Sequence, residues 1–165
     1  MSRIIIRRIK LNEVKDSTSE EYYEVFDARY RELMPQLPYI NRDMDRMAEN
    51  DFGKAKTIKS DSGNIFVKYI EEEDRILLLG IISKDGKMNK ADIPDMIEMY
   101  DIFIDKVNSG KDVYTSGNIN SMKLIKGIVR RAKQKNINLN YDEEGEMAFG
   151  DNEELKFKNI HIYKA

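Results

Sequence analysis

The sequence predicts a single mixed α/β domain with a mostly antiparallel sheet flanked by helices. Three observations carry this. Arg75–Ser83 (RILLLGIIS) is apolar on both alternations, as a strand buried on both faces must be. Ile93, Met96, Ile97, Tyr100, Phe103, Ile104 and Val107 then recur at helical spacing. After an intervening strand, Met122, Ile125, Ile128, Val129 and Ala132 repeat that spacing. Strands alternating with helical faces indicate an α/β domain.

The elements follow in order. Arg3–Lys10 is Ile-rich and predicts a first strand. Thr18-x-x-Glu21 is a capping box, in which hydroxyl and carboxylate satisfy orphan amides at a helix start. Tyr22, Phe26, Tyr30, Leu33 and Met34 place one face of that helix on the core. Pro35 and Pro38 end it, because proline lacks the amide donor and clashes with the preceding turn. Asn41–Asn50 is polar and reads as a short helix. Lys54–Ile70 reads as two strands around an Asp61-Ser62-Gly63-Asn64 turn, and Glu71–Asp74 as a charged turn.

Asp92 is the expected N-cap of the next helix, with Pro94 in its first turn and Gly110 at its end. Val113–Thr115 is a short strand. Asn120 or Ser121 caps the last helix, and Asn136 stops it. Ile137–Tyr141, Glu146–Phe149 and Leu155–Tyr163 are strand candidates, with Asp142–Glu146 in a turn. In the last strand Leu155 and Phe157 share one phase and Ile160 and Ile162 the other. A bulge near Asn159 would reconcile them.

Composition narrows the chemistry. A chain of 165 residues with 41% apolar side chains builds one ordinary core. The longest apolar run, Ile76–Ile82, is interrupted by Gly80 and is far short of the roughly 20 residues a membrane helix needs. The N-terminus carries only three isoleucines between basic residues, so it reads as a strand and not as a signal peptide. With no cysteine, disulfides, thiol nucleophiles and thiolate metal sites are excluded, and the single histidine, His161, excludes His-rich zinc sites. A net charge of −2 provides no global field for nucleic acid.

Sequence motifs for catalysis are sparse. Gly80–Met88 lies between a strand and a helix, the context of a phosphate-binding loop. Its glycines are one residue too far apart, and Met88 stands where a hydroxyl would hold magnesium, so it reads as a strand-exit turn. His161, the one candidate base for a triad, sits in a strand between Ile160 and Ile162.

The element order from Arg75 onward resembles the C-terminal half of GNAT-type acetyltransferases. In that family a Gly-rich loop at a helix N-terminus holds the pyrophosphate of acetyl-CoA on backbone amides. The equivalent stretch, Ser83–Pro94 (SKDGKMNKADIP), has one glycine, and Asp85 and Asp92 would repel a pyrophosphate. The family also carries an asparagine after the fifth strand, a small residue at +3 and a Tyr general acid at +7. Asn118 and Ser121 match the first two; Ile125 occupies the third. Val113–Asn118 followed by Leu124 resembles a stretch of degenerate domains of this type in tailed-bacteriophage virion proteins.

Charge is segregated. Lys123, Lys126, Arg130 and Lys133 form one stripe at about 100° per residue, opposite the apolar face of their helix. Asp142, Glu143, Glu144 and Glu146 open a segment with no basic residue. These are either solvated surfaces, a phosphate-facing helix, or the two halves of a head-to-tail contact between subunits. The resemblance and the charge pattern lead to the expectation of a non-catalytic assembly protein of a phage particle, such as a ring or collar subunit. It would self-associate or bind other virion proteins, need no cofactor and no membrane, and assemble in the host cytoplasm. Two alternatives stand beside it. One is an N-acetyltransferase with a divergent cofactor loop, in which Asn118 and Ser121 would contact acetyl-CoA; the other is a DNA-contacting accessory protein.

Overall fold

The computed structural model describes residues 14–85, 90, 93–117, 119–148 and 150–165. The expected strand at Arg3–Lys10 and the expected cap Asp92 lie outside them. The elements are β1 (Lys15–Ser17), α1 (Ser19–Tyr30), α2 (Leu37–Phe52), β2 (Lys56–Lys59), β3 (Ile65–Glu71), β4 (Arg75–Ser83), α3 (Ile93–Asn108), β5 (Asp112–Gly117), α4 (Ile119–Gln134), β6 (Leu139–Ala148) and β7 (Lys156–Lys164). Seven strands form one sheet in the order β1-β2-β3-β4-β5-β7-β6. Only β4 and β5 run parallel, joined by the α3 crossover; the other neighbours are antiparallel. No helix among the described residues is long and apolar enough to cross a membrane.

Local chemistry sets most helix ends. Thr18 Oγ1 accepts the Glu21 amide at 3.1 Å, the hydroxyl half of the expected capping box, while the Glu21 carboxylate accepts Lys59 Nζ at 3.0 Å. α2 is longer than its polar sequence indicates. Pro38 lies in its first turn, where a missing amide costs nothing, so this proline opens α2; α1 does not reach Leu33 and Met34 but has already ended at Tyr30, ahead of both prolines. Gly110 takes φ +110° after α3, a conformation that an L side chain rarely adopts. Asn136 takes φ +61° after α4. There the Asn136 amide reaches Lys133 O and the Ile137 amide reaches Ala132 O, the paired bonds of a Schellman stop.

Helices cover both faces of the sheet, so β3 and β4 are apolar on both alternations. On one face α3 and α4 bury Met96, Phe103, Ile104, Ile125 and Ile128 against Val67, Ile76 and Leu78. On the other, α1 buries Tyr22, Phe26 and Tyr30 against Phe66 and Ile82. This two-sided core explains the phase change along β7. Ile160 and Ile162 join the α3/α4 core while Phe157 packs against the α1 core, so each phase has an apolar home. A bulge does sit opposite Asn159, but on β6. The register runs Glu143↔Ile160 and then Gly145↔Asn159, leaving Glu144 as the extra residue.

The expected break between Ile137–Tyr141 and Glu146–Phe149 is not observed. Leu139–Ala148 is one strand, and Asp142, Glu143, Glu144 and Glu146 lie inside it and not in a turn; Phe149 is outside the described residues. β6 is an edge strand with little buried surface, so its sequence lacks an apolar alternation. Acidic side chains on an edge also discourage pairing with another sheet.

The charged turn after β3 is tied down. Glu71 accepts Lys106 Nζ from α3 at 2.8 and 2.9 Å, and Lys111 Nζ at 2.8 Å. These hydrogen bonds hold its carboxyl at about 2, below the ordinary 4.5. A depressed carboxyl contributes stability above its unfolded value and loses it as pH falls through the folded value. The contribution of Glu71 is therefore expected to disappear between about pH 4.5 and 2. Urea midpoints measured from pH 6 to pH 3 check this: the wild type should fall more steeply than Glu71→Gln over that window.

Candidate functional site

The site begins with a register error built into the centre of the sheet. Lys68 pairs with Gly80, but the next residue, Tyr69, pairs with Leu78, leaving Leu79 as an extra residue on β4. A bulge bends its strand and disturbs pairing. The parallel ladder to β5 reaches only Leu78↔Thr115. Beyond it β4 continues to Ser83 alongside β3, while β5 continues along β7 through Ser116↔Asn159 and Gly117↔Lys158. The two central strands thus part, and the main-chain groups of β4 on that side have no strand partner among the described residues.

The gap opens into a cleft of about 630 Å³. Leu79, Gly80 and Ile81 line it from β4, and Thr115 and Ser116 from β5. α4 contributes Ile125, α1 contributes Tyr22 and Phe26, and α2 contributes Met44, Asp45 and Ala48. Side chains of both cores, Ile125 on one face and Phe26 on the other, border the same space. The Ser116 hydroxyl is buried with no hydrogen-bond partner among the described residues.

Gly80 explains how Tyr22 reaches the parted strands. A Cβ at position 80 would stand 1.8 Å from Tyr22 Oη, so the ring lies directly over β4 where a side chain would otherwise be. Burial raises the Tyr22 phenol well above its usual range, which keeps it a neutral hydrogen-bonding group.

Asp45 ties the cleft wall to a buried ion pair with Lys68, bridged by Tyr23. Lys68, from the middle of β3, lies 3.4 Å from Asp45 Oδ2 and donates to Tyr23 Oη. Tyr23 in turn donates to Asp45 Oδ2 at 2.9 Å. The Lys68 and Asp45 side chains are 1% and 5% exposed, so water does not compensate them. Lys68 Nζ is also 4.1 Å from the Tyr23 ring centroid, with Arg42 at 4.8 Å from the same ring. Burial pushes the Asp45 carboxyl up, against the opposing pull of Lys68. None of these three was marked as functional by sequence reasoning. The available signal was Lys68 itself, a lysine within the apolar run Ile65–Ile70.

The residues expected from sequence fall in different places. Asn118 lies outside the described residues, as do the side chains of Ser121 and Lys123. Ile125 is buried and forms part of the cleft wall. Lys126, Arg130 and Lys133 are exposed along α4, whereas Arg131 and Lys135 pair with Asp101 of α3 at 3.1 and 3.5 Å. The acidic set divides. Asp142 accepts Tyr163 Oη at 3.4 Å, Glu143 pairs with Lys158 at 3.2 Å, and Glu146 is exposed. Glu144, the bulged residue, borders the cleft. His161 contacts Asp112 Oδ2 at 2.9 Å and stacks on Tyr114 with ring centroids 4.4 Å apart.

No protein-family model matches the chain, and no curated protein sequence does. Solved structures do. A spermidine N-acetyltransferase chimera from Vibrio cholerae and hSSAT superposes with a TM-score of 0.51 at 12% identity, covering 93% of this chain and 96% of that one. The ribosomal-protein-S18-alanine N-acetyltransferase from Escherichia coli gives 0.52 at 9% identity, covering 93% and 94%. An aminoglycoside 6'-acetyltransferase type Ii gives 0.51 at 7% identity, covering 90% and 95%. Nothing in these neighbours bears on a virion. At such identities the likeness establishes architecture: this chain is a single α/β domain with the GNAT acetyltransferase fold.

Proposed function

We propose that the protein is an acyltransferase that moves an acyl group from a thioester of the acyl-CoA class to an amine. The observation that carries this reading is the parting of β4 and β5 at Leu79, at the centre of an acetyltransferase fold, into a cleft bordered by main chain that has no strand partner among the described residues. A pantetheine arm is an extended chain with two amides, and such a chain pairs with an exposed strand edge as an added strand does. Amides at that edge also stabilise the oxyanion formed when an amine attacks the thioester carbonyl. In the balanced step the C–N bond forms, the C–S bond breaks, and the proton lost by nitrogen ends on the departing thiolate.

Ile125 cannot supply that proton. A positioned acid is worth about 10²–10⁴ in rate. A thiol with a pKa of about 8.5 is a tolerable leaving group without one, and water or a cleft hydroxyl can complete the transfer. Helix α3 is less accommodating to the rest of the donor. Asp95, in its first turn, is buried, and a carboxylate there opposes a diphosphate. The acyl-pantetheine portion therefore fits the cleft better than the nucleotide portion fits the described residues of the helix.

Acetyl-CoA and the truncated donor S-acetyl-N-acetylcysteamine, each with a panel of amines, test the reading. Thiol release and a mass gain of one acetyl group on the amine are expected, and truncation should cost little. Absence of both products and of donor binding would return the chain to a non-catalytic role. The exposed Lys126, Arg130 and Lys133 face supports that second reading, as a contact for an acidic surface of another subunit. Sedimentation at low and high salt reads it out: salt-sensitive self-association supports it, and a monomer at every salt opposes it.

A further inference from the structure

We infer that the acceptor is a lipophilic primary amine, an ammonium on an apolar chain; this rests on the acyl-transfer reading. The cleft has to take the acceptor beside the acyl-pantetheine arm of the donor. Its volume of about 630 Å³ lies in the range, about 300–1,000 Å³, that encloses a whole drug-sized ligand. Its outer wall is the apolar stripe of α2, Leu37, Ile40, Met44, Ala48 and Phe52, at spacings that keep one helix face turned to the cavity. Leu37 is buried in the α1 core, and the rest of the stripe is half-buried or exposed. Met44 remains 44% exposed although it borders a concave space, and an apolar ligand is what would cover it; the Phe52 ring already carries the Arg75 guanidinium at 4.7 Å.

Charge selects the head group. Among the described residues, the cleft lining includes two carboxylates, Asp45 and Glu144, and no lysine or arginine. Asp45 is already matched by Lys68. Glu144 is exposed on its bulge and is the carboxylate available to an ammonium. One free carboxylate and a long apolar wall suit a cation with a single charge and an apolar body. They do not suit a polycation, whose further ammonium groups would be desolvated against Met44 and Phe52 without partners. The cleft in this respect differs from what the spermidine and aminoglycoside acetyltransferases of the same fold take by their names.

The test is a series of n-alkylamines from ethylamine to decylamine, with spermidine as comparison, using the acetyl donor that the intact chain accepts. The expected result is a rise in kcat/KM of about fourfold per methylene over the first several carbons, the equivalent of about 0.8 kcal/mol per buried CH₂. Spermidine should fall below octylamine. Ala48→Phe, which fills the cleft from α2, should flatten the slope. Glu144→Gln should raise KM for every alkylamine more than it lowers kcat. A flat series, or spermidine above octylamine, overturns the inference and leaves acyl transfer standing. If no amine is acylated, calorimetry with octylamine and spermidine decides. Octylamine binding that is lost in Ala48→Phe keeps the ligand class and removes the reaction, and no octylamine binding removes both.

Discussion

Lys68→Met is expected to destabilise the protein by about 3–5 kcal/mol, the usual cost of removing one partner from a buried ion pair. Lys68 and Asp45 are almost fully enclosed, and the methionine would leave the Asp45 carboxylate with only the Tyr23 hydroxyl as partner. The penalty belongs to the orphaned charge and not to the lost attraction. The double variant Lys68→Met/Asp45→Leu should therefore recover most of the loss, because apolar residues of similar volume often replace a buried pair at little cost. The deficit of the single variant should also depend on pH. Asp45 can neutralise itself by taking a proton, so the deficit is greatest near neutrality and shrinks as pH falls toward the unfolded carboxyl value of about 4. Urea unfolding of the three proteins at pH 7 and pH 4.5 measures both effects. Equal losses in single and double variants would show that packing, and not the unpaired charge, sets the cost.

Gly80→Ala is expected to cost about 1–3 kcal/mol, as overpacking of a close-packed interior does. The new methyl would meet Tyr22 Oη at 1.8 Å and Cζ at 3.0 Å. Tyr22 is 1% exposed but borders the cleft, so its ring can relieve part of the strain only by shifting into that space. Adding Tyr22→Phe removes the atom at 1.8 Å but leaves the one at 3.0 Å, so the double variant should regain part of the stability and not all of it. Thermal midpoints of the wild type, both singles and the double form a cycle that isolates this contact. The same substitution pushes Tyr22 away from the parted strands, and donor binding should weaken with it. Retained donor affinity in a destabilised Gly80→Ala protein would place the donor away from this wall.

The features legible in sequence are those specified within a few residues. Thr18 and Glu21 mark a helix start, Asn136 marks a helix end, and the apolar alternation of Arg75–Ser83 marks a strand covered on both faces. The order of such elements was enough to indicate the acetyltransferase-type architecture that the solved structures share. Local periodicity misled where burial was absent. In β6 the acids of Asp142–Glu146 were read as a turn because an exposed edge strand has no apolar alternation to reveal it.

The cleft was not legible, because it arises between elements. Leu79 is an ordinary leucine in an apolar run; only its register against Tyr69 makes it a bulge, and only the bulge parts β4 from β5. Gly80 read as an interruption, and its purpose appears once Tyr22 of α1 is laid across it. Asp45 and Lys68 are far apart in sequence, with β2 between them, and their pairing follows from α2 packing on α1, which itself lies on β3. Sequence by itself determined most of the helices, the buried strands and the two apolar faces that build the cores, since hydrogen-bond caps and side-chain period act over a turn or two. Tertiary structure alone decided where the sheet opens, which charge is buried with which, and which side chains share the space inside. Those outcomes depend on packing between segments far apart in the chain, a constraint no local pattern carries.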